Sequence, residues 1–251
     1  MKKLLAALMF LPLAAWGAEE GFALDRAPDR MHDQAALQHG AKLFVNYCLN
    51  CHGAAAMRYN RLEEIGLSED QIKQNLLFAT DKVGDTMKVA MNGTDARDWF
   101  GAAPPDLSVI ARAKSGENGS GADYIYTYLR TYYKDDTRPT GWNNMAYPNS
   151  AMPNVLWQLQ GVRTASFVDK KDEHDPEITT HEFEKFEEVS PGLMNPGEYD
   201  VAVADLTAFL SWMAEPTQNT RRRLGVWVLL FLGVVFVLTW RLNAAYWKDI
   251  K

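Results

Sequence analysis

Only two of the 251 residues are cysteine, too few for the cross-links that hold small secreted scaffolds together. Nor is there an excess of base: 26 Lys and Arg stand against 32 Asp and Glu. A chain without a basic surface repels phosphate backbones, which argues against a nucleic-acid partner. No internal repeat is visible, and 17 Gly and 11 Pro are ordinary proportions, so collagen-like, low-complexity and wholly disordered chains are set aside. What is present is 47% apolar residues, enough for one domain of about 200 residues with accessory segments.

The ends of the chain differ from the middle. Lys2-Lys3 precede an apolar run from Leu4 to Trp16, then Gly17 and Ala18 and the acidic Glu19-Glu20, the order of a secretory signal. The alternative is a short anchor that is never removed. Near the other end, Leu224 to Trp240 is a run of 17 residues without a formal charge, bracketed by Arg221-Arg222-Arg223 and Arg241. As a helix it covers about 25 Å, just short of a bilayer core of about 30 Å, and flanking side chains can reach the remainder. It is read as a transmembrane helix rather than a buried core helix, because no polar face interrupts it. Basic residues flank the run on both sides, so the charge bias is close to a tie and export by the signal sets the orientation. Three segments result: 1–18 a signal peptide, 19–220 a periplasmic domain, and 221–251 an anchor with a short cytoplasmic tail.

Removing Lys2, Lys3 and everything from Arg221 onward leaves 18 bases and 31 acids in residues 19–220, net −13. A basic protein partner is the natural complement. Within this region, residues 19–35 read as an extended arm. Apolar spacing predicts a helix from Gln34 to Tyr47, and a capping box at Ser68 to Gln71 predicts another from Ser68 to Phe78. Residues 79–121 read as loop-rich, Ala122 to Tyr133 as an aromatic helix, and Thr137 to Pro153 as irregular. Asp169 to Glu188 holds nine acids and three lysines and reads either as a solvated loop or as a docking surface. Tyr199 to Ala214 has Val203, Leu206, Phe209-Leu210 and Met213 on one stripe, and Pro216 ends that helix.

Both cysteines fall in Cys48-Leu49-Asn50-Cys51-His52, the attachment sequence for c-type haem. Two thiols three residues apart meet two vinyl groups on one porphyrin edge, and the next residue puts an imidazole under the iron. A zinc site would need further soft ligands, and there are no more cysteines. A thioredoxin-like pair would sit at a strand-to-helix turn in a βαβ unit, and none is readable. A local disulfide is the remaining alternative. The second axial ligand is less determined. Of eight methionines beyond the signal, Met152 stands out because Ser150-Ala151-Met152-Pro153 lies in an irregular segment that can cross a haem face. Met145 is the second choice, Met213 reads as core, and a bis-histidine site would use His39. Thioether ligation raises the potential of the iron.

Four blocks together carry a more specific resemblance: Cys48 to His52; Pro104-Pro105-Asp106-Leu107-Ser108 with Ile110 to Lys114; Ala151-Met152-Pro153; and Phe209 to Pro216 ahead of a single span. In that order they resemble the cytochrome c1 family, the haem subunit of the cytochrome bc1 complex, in its bacterial form. The resemblance implies a mainly α fold, a cytochrome-c-like helical haem domain with loop insertions, plus the C-terminal membrane helix. It implies one covalent haem c held by Cys48 and Cys51, with His52 and Met152 as axial ligands. A basic residue after the proline block is expected at a haem propionate. The family usually has Arg at the second basic position, where this sequence has Lys114, so both Arg112 and Lys114 stand as candidates. Tyr124 resembles the family's haem-side tyrosine and reads equally as a core aromatic.

The implied activity is a single-electron relay with no substrate bond made or broken, so no residue is assigned to catalysis. The implied partners are a cytochrome b subunit, a Rieske iron–sulfur protein and a soluble basic cytochrome c, in a dimeric membrane complex. Two other readings stand beside it: a membrane-tethered shuttle to a terminal oxidase, and a haem sensor that keeps an open iron position. A single attachment sequence disfavours a two-haem peroxidase.

Overall fold

The computed structural model describes residues 22–89, 91–171 and 179–248. The predicted signal, Met1 to Ala18, lies outside them. The chain opens with an extended arm, then α1 (Gln34–Leu43) passes without a break into a wider π-helical turn, Phe44–Cys48. Next come β1 (Ala54–Arg58), a 3-10 turn Tyr59–Ile65, α2 (Glu69–Asn75), β2 (Thr86–Met87), α3 (Gly93–Phe100), α4 (Ile110–Ala113) and α5 (Gly121–Arg130). The second half runs through β3 (Tyr132–Lys134), β4 (Trp142–Asn144), α6 (Trp157–Gln160), β5 (Gly161–Lys171), β6 (Thr179–Pro191), α7 (Pro196–Ala214) and α8 (Gln218–Tyr246). The strands pair only as antiparallel twos, β1 with β2, β3 with β4 and β5 with β6. The fold is therefore mainly α, as the sequence implies.

Helix starts follow local chemistry. Ser68 and Gln71 form the expected capping box of α2, and Ser120 with Asp123 and Asn195 with Glu198 do the same for α5 and α7, each satisfying backbone N–H groups that a helix start leaves unpaired. The core is centred on α1 against α7. Leu37 and Ala41 share one buried cluster with Ala202, Leu206 and Phe209, and the Phe44 and Phe209 rings lie 5.7 Å apart. Each such large apolar side chain contributes about 1.5–3 kcal/mol on burial. Gly40 makes the crossing possible: a Cβ there would stand 2.2 Å from the Asp205 carbonyl oxygen and 2.7 Å from the Phe209 Cβ. At the same crossing, the buried Asp205 carboxylate takes His39 Nδ1 at 2.8 Å and Arg30 at 2.5 Å, tying arm, first helix and last soluble helix together. His39 is thereby committed to Asp205.

Four expectations are corrected. The helix predicted from Gln34 to Tyr47 is α-helical only to Leu43, and that predicted from Ala122 to Tyr133 stops at Arg130, where Tyr132 starts β3. The loop-rich span 79–121 contains α3 and α4. The acidic stretch is no loop in its described part. β5 and β6 pair from Gly161 with Pro191 to Lys171 with Thr179 as a long hairpin. Its base is fixed by Arg163, whose guanidinium donates to the Tyr132 carbonyl at 2.9 Å and to that of Arg130, and stacks 3.6 Å from the centre of the Phe186 ring. Phe167, Phe183, Phe186 and Tyr133 form an aromatic patch beside it. α8 is 29 residues long, with mean hydropathy 2.1 and no buried share in its most apolar window, so it is long and apolar enough to cross a membrane. The predicted run Leu224 to Trp240 lies wholly within it.

The described part of the arm is extended, as expected, and it is tied down. Asp25 N–H donates to Thr127 Oγ1 at 2.8 Å and Ala27 N–H to Asp123 Oδ1 at 2.7 Å. Burial pushes the Asp123 carboxyl up, but bonds from the Ser120 hydroxyl and the Ala27 and Ser120 amides outweigh it and hold it below the usual range. A carboxyl lowered on folding stabilises the native state above its unfolded value near pH 4, and that contribution is lost as pH falls through the lower folded value. Asp123→Asn is therefore expected to lower stability by about 1–2 kcal/mol at pH 7, with the difference from wild type shrinking below about pH 3. Urea melts at both pH values check this, and a difference that does not change with pH contradicts it.

Candidate functional site

The π-helical turn delivers Cys48 directly into a tight turn in which Cys51 N–H and His52 N–H donate to the Cys48 carbonyl at 3.1 and 2.8 Å. Cys48, Cys51 and His52 consequently share one wall of a cleft of about 160 Å³. Met152 and Pro153 line it too, with Tyr47, Phe100 and the Ala102 to Pro105 strand of loop. Apart from His52 and the two thiols, the lining is almost entirely apolar. Burial, with Cys51 nearby, pushes the Cys48 thiol up to about 12, so it is held protonated.

The proline block positions the imidazole. His52 Nδ1 lies 2.7 Å from the Pro105 carbonyl oxygen. An acceptor there requires Nδ1 to carry the proton and leaves Nε2 with its lone pair, the arrangement seen in ligating histidines. Burial lowers the His52 pKa, against the Pro105 bond and the Asp106 charge. The next residues zip the two loops together. Leu107 N–H donates to the Gly53 carbonyl at 2.8 Å, Ala55 N–H to Asp106 Oδ2 at 2.8 Å, and Ala56 N–H to the buried Ser108 Oγ at 3.0 Å. Asp106 also caps its own turn through Ser108 N–H at 2.8 Å. Each residue from Pro105 to Ser108 thus holds a member of the Cys48–Ala56 segment or the turn that faces it.

Met152 is suspended from the other side. Tyr132 Oη lies 3.0 Å from the Met152 carbonyl and 2.6 Å from Tyr128 Oη, which lies 2.7 Å from Ser150 Oγ. Tyr124 stacks on Tyr128 with centroids 5.8 Å apart. The loop before Met152 is shaped by two buried amides. Asn144 donates to the Tyr128 carbonyl at 2.7 Å and its Oδ1 accepts from Ala146 and Tyr147 N–H, while Asn143 Oδ1 accepts from Asn149 N–H at 2.8 Å. Tyr128, Tyr132, Asn143, Asn144 and Ser150 did not emerge from the sequence reading. The spacing of four that joins Tyr124, Tyr128 and Tyr132 was the signal that could have found the ladder.

The predicted residues divide. Cys48, Cys51, His52 and Met152 come together in the cleft. Lys114 and Tyr124 meet each other at the far end of the ladder, with Lys114 Nζ 5.0 Å from the Tyr124 ring centre and 5.8 Å from that of Tyr147. Burial, with Tyr128 and Tyr147 adding to it, pushes Tyr124 up to about 12, so it stays a neutral phenol. Arg112 lines a different cavity, with Arg26 and Arg30. His39 is bound to Asp205, Met145 is not among the cleft residues, and Met213 is buried in the core.

These residues fit a haem. Among the described residues no three or more His, Cys, Asp or Glu gather to hold a bare ion. One imidazole with a free Nε2 and one thioether in an apolar cleft suit an iron whose other four ligands come from a macrocycle, and paired thiols suit its covalent attachment.

Comparison with known proteins agrees. The family model described as the Cytochrome C1 family matches residues 26–182 and 195–250. The chain belongs to the cytochrome c1 family. Cytochrome c1 of Allochromatium vinosum is 44% identical over the whole of both chains, and a protein of Nitrosomonas europaea named ammonia monooxygenase gamma subunit is 43% identical over all of this chain and 98% of its own length. Cytochrome c1 of Rhodospirillum rubrum is 29% identical over 88% of this chain and 84% of its own. Family membership makes the chain a haem-bearing electron-transfer subunit of the bc1 class, with a membrane-anchoring helix.

Because the Met152 carbonyl ends the tyrosine ladder, Tyr132→Phe is expected to cost about 1 kcal/mol and to lower the Tm by about 2–4 °C. Thermal melting followed by circular dichroism checks it. A variant whose Tm matches wild type shows that the ladder does not hold the loop.

Proposed function

We propose that this chain relays single electrons from a Rieske iron–sulfur protein to a soluble basic cytochrome c, as the cytochrome c1 subunit of a dimeric bc1 complex with a cytochrome b partner. The observation that carries this reading is the cleft in which Cys48, Cys51, His52 and Met152 share one apolar wall system. When bound there through two thioethers, one haem c supplies a one-electron iron couple. His52 Nε2 and the Met152 sulfur would hold its iron in this reading. Pro105 keeps the imidazole in the ligating tautomer, and the tyrosine ladder keeps Met152 in reach. The thioether favours the reduced iron and raises the potential, which suits a late position in a chain of carriers. The apolar lining lowers the local dielectric and keeps bulk water from the metal.

For the propionate partner, the position of Lys114 beside Tyr124 favours Lys114 over Arg112, whose side chain belongs to another cavity. In topology we infer a cleaved signal over residues 1–18, a periplasmic haem domain to residue 220, and a single span whose C-terminus is cytoplasmic in the bacterial inner membrane. The net charge of −13 on residues 19–220 suits steering of a basic carrier, and β6 carries Glu182, Glu184, Glu187 and Glu188. The relative named ammonia monooxygenase gamma subunit suggests a second assembly. Purification with a haem b subunit supports the bc1 reading, and purification with a monooxygenase in its place contradicts it.

Met152→Leu is expected to lower the midpoint potential and open the reduced iron to carbon monoxide. Redox titration and carbon monoxide difference spectra check both; an unchanged potential with no carbon monoxide binding moves the ligand elsewhere. Replacing Glu184, Glu187 and Glu188 of the hairpin with Gln is expected to slow reduction of a basic cytochrome c several-fold at about 10 mM salt and not at about 1 M. Stopped-flow rates across that range check it, and a rate insensitive to the change removes the hairpin from docking.

A further inference from the structure

A second cavity, separate from the cleft, lies between the arm, α4, α5 and the junction of α7 with α8, with a volume of about 690 Å³. Four guanidinium groups line it: Arg26 and Arg30 from the arm, Arg112 from α4 and Arg222 from α8. Arg30 is committed to Asp33 and Asp205. Arg112 and Arg222 have no ion-pair partner among the described residues, while Arg26 faces the charge of Asp123. The carboxylates that line the cavity are already engaged: Asp123 by Ser120 and Ala27, Glu215 by Arg221 at 2.7 Å, and Asp29 by the Met31 amide at 3.4 Å. Thr207, 2% exposed, is in the same wall, and its buried hydroxyl has no hydrogen-bond partner. A buried hydroxyl left unpaired costs about 1–3 kcal/mol, so a ligand atom that pairs with it is favoured.

We propose that this cavity binds the phosphate headgroup of an anionic lipid. Guanidinium groups pair bidentately with phosphate, and Arg112 and Arg222 offer two without an ion-pair partner on a domain of net charge −13. The source of the phosphate follows from position. Glu215, Gln218 and Arg222 belong to the chain as it enters the membrane helix, and the apolar run starts two residues later at Leu224. Arg222 therefore sits at headgroup level, with α8 beside it for acyl chains to follow. This also accounts for Arg221-Arg222-Arg223 preceding the span, where charge bias gives no reason for them: Arg221 holds Glu215 away from the cavity's arginines, and Arg222 faces the phosphate. The inference depends on α8 spanning a membrane and is independent of the haem reading.

The haem-loaded full chain, stripped of lipid in an uncharged detergent, is titrated with phosphatidylglycerol, phosphatidylcholine and inorganic phosphate, and bound lipid is counted by native mass spectrometry. Phosphatidylglycerol is expected to bind at least tenfold more tightly than phosphatidylcholine. Arg26→Gln with Arg112→Gln is expected to weaken it about tenfold, the visible spectrum serving as the control for folding. Thr207→Val, nearly isosteric, is expected to weaken it several-fold while raising the Tm of the stripped chain. It carries the test if the double variant does not fold. Equal binding of the two lipids, or variants indistinguishable from wild type, overturns the proposal. Inorganic phosphate that binds as tightly as the lipid and displaces it makes this a free-phosphate site and overturns the lipid assignment. Loss of a co-purifying subunit in the variants with lipid binding unchanged assigns the arginines to a protein partner, which also overturns it.

Discussion

The hydrogen bond between His52 Nδ1 and the Pro105 carbonyl, 2.7 Å long, is the constraint around which the site is organised. It chooses the tautomer, and the tautomer decides that the free nitrogen is the one that can reach a metal. A proline carbonyl is a suitable partner because its residue has a fixed φ and no N–H of its own. The bond has value only if the two loops stay in register, which is the work of Asp106, Leu107 and Ser108 against Gly53, Ala55 and Ala56. A block that looks like a family signature in the sequence is, in the fold, a set of backbone bonds holding one imidazole.

Everything beyond that bond supplies rigidity. Gly40 lets α1 approach α7 closely enough for Phe44 and Phe209 to pack, and α1 passes straight into the turn that carries both cysteines. On the opposite side, the Met152 loop has little regular structure. It is held by hydroxyls and amides from α5, β3 and β4 rather than by its own backbone ladder. In the proposed reading a ligand carried on a loop would need such supports, since one that drifts would leave the metal open to other molecules.

Local signals were the most legible part of the sequence. The attachment turn, the capping box at Ser68, the apolar stripe ending at Met213 and the span after Arg223 all depend on neighbours within a few residues, and each appears where its pattern put it. The hairpin was hidden because both of its faces meet solvent over much of its length, so acids replace the alternation that marks a half-buried strand. Its aromatic patch is assembled from Tyr133, Phe167, Phe183 and Phe186, which are far apart in sequence. The separation of Arg112 from Lys114 was also beyond reading: Arg112 is in α4 and lines the second cavity, whereas Lys114, just past the end of α4, lies over the Tyr124 and Tyr147 rings, and helical phase alone does not tell what each meets. The supports of Met152 escaped for the same reason, since Tyr132 and Asn144 act through tertiary contacts.

The central claim is that one porphyrin is joined to this chain through both sulfurs of the Cys48 to His52 turn. Its most direct test is acid–acetone extraction of membrane-purified protein from cells that mature c-type cytochromes, followed by mass analysis of the peptide holding that turn. The account predicts pigment that stays with the protein and a peptide heavier by one haem with neither thiol free to alkylate. Pigment that leaves with the solvent, or a colourless peptide whose two cysteines alkylate fully, would contradict it.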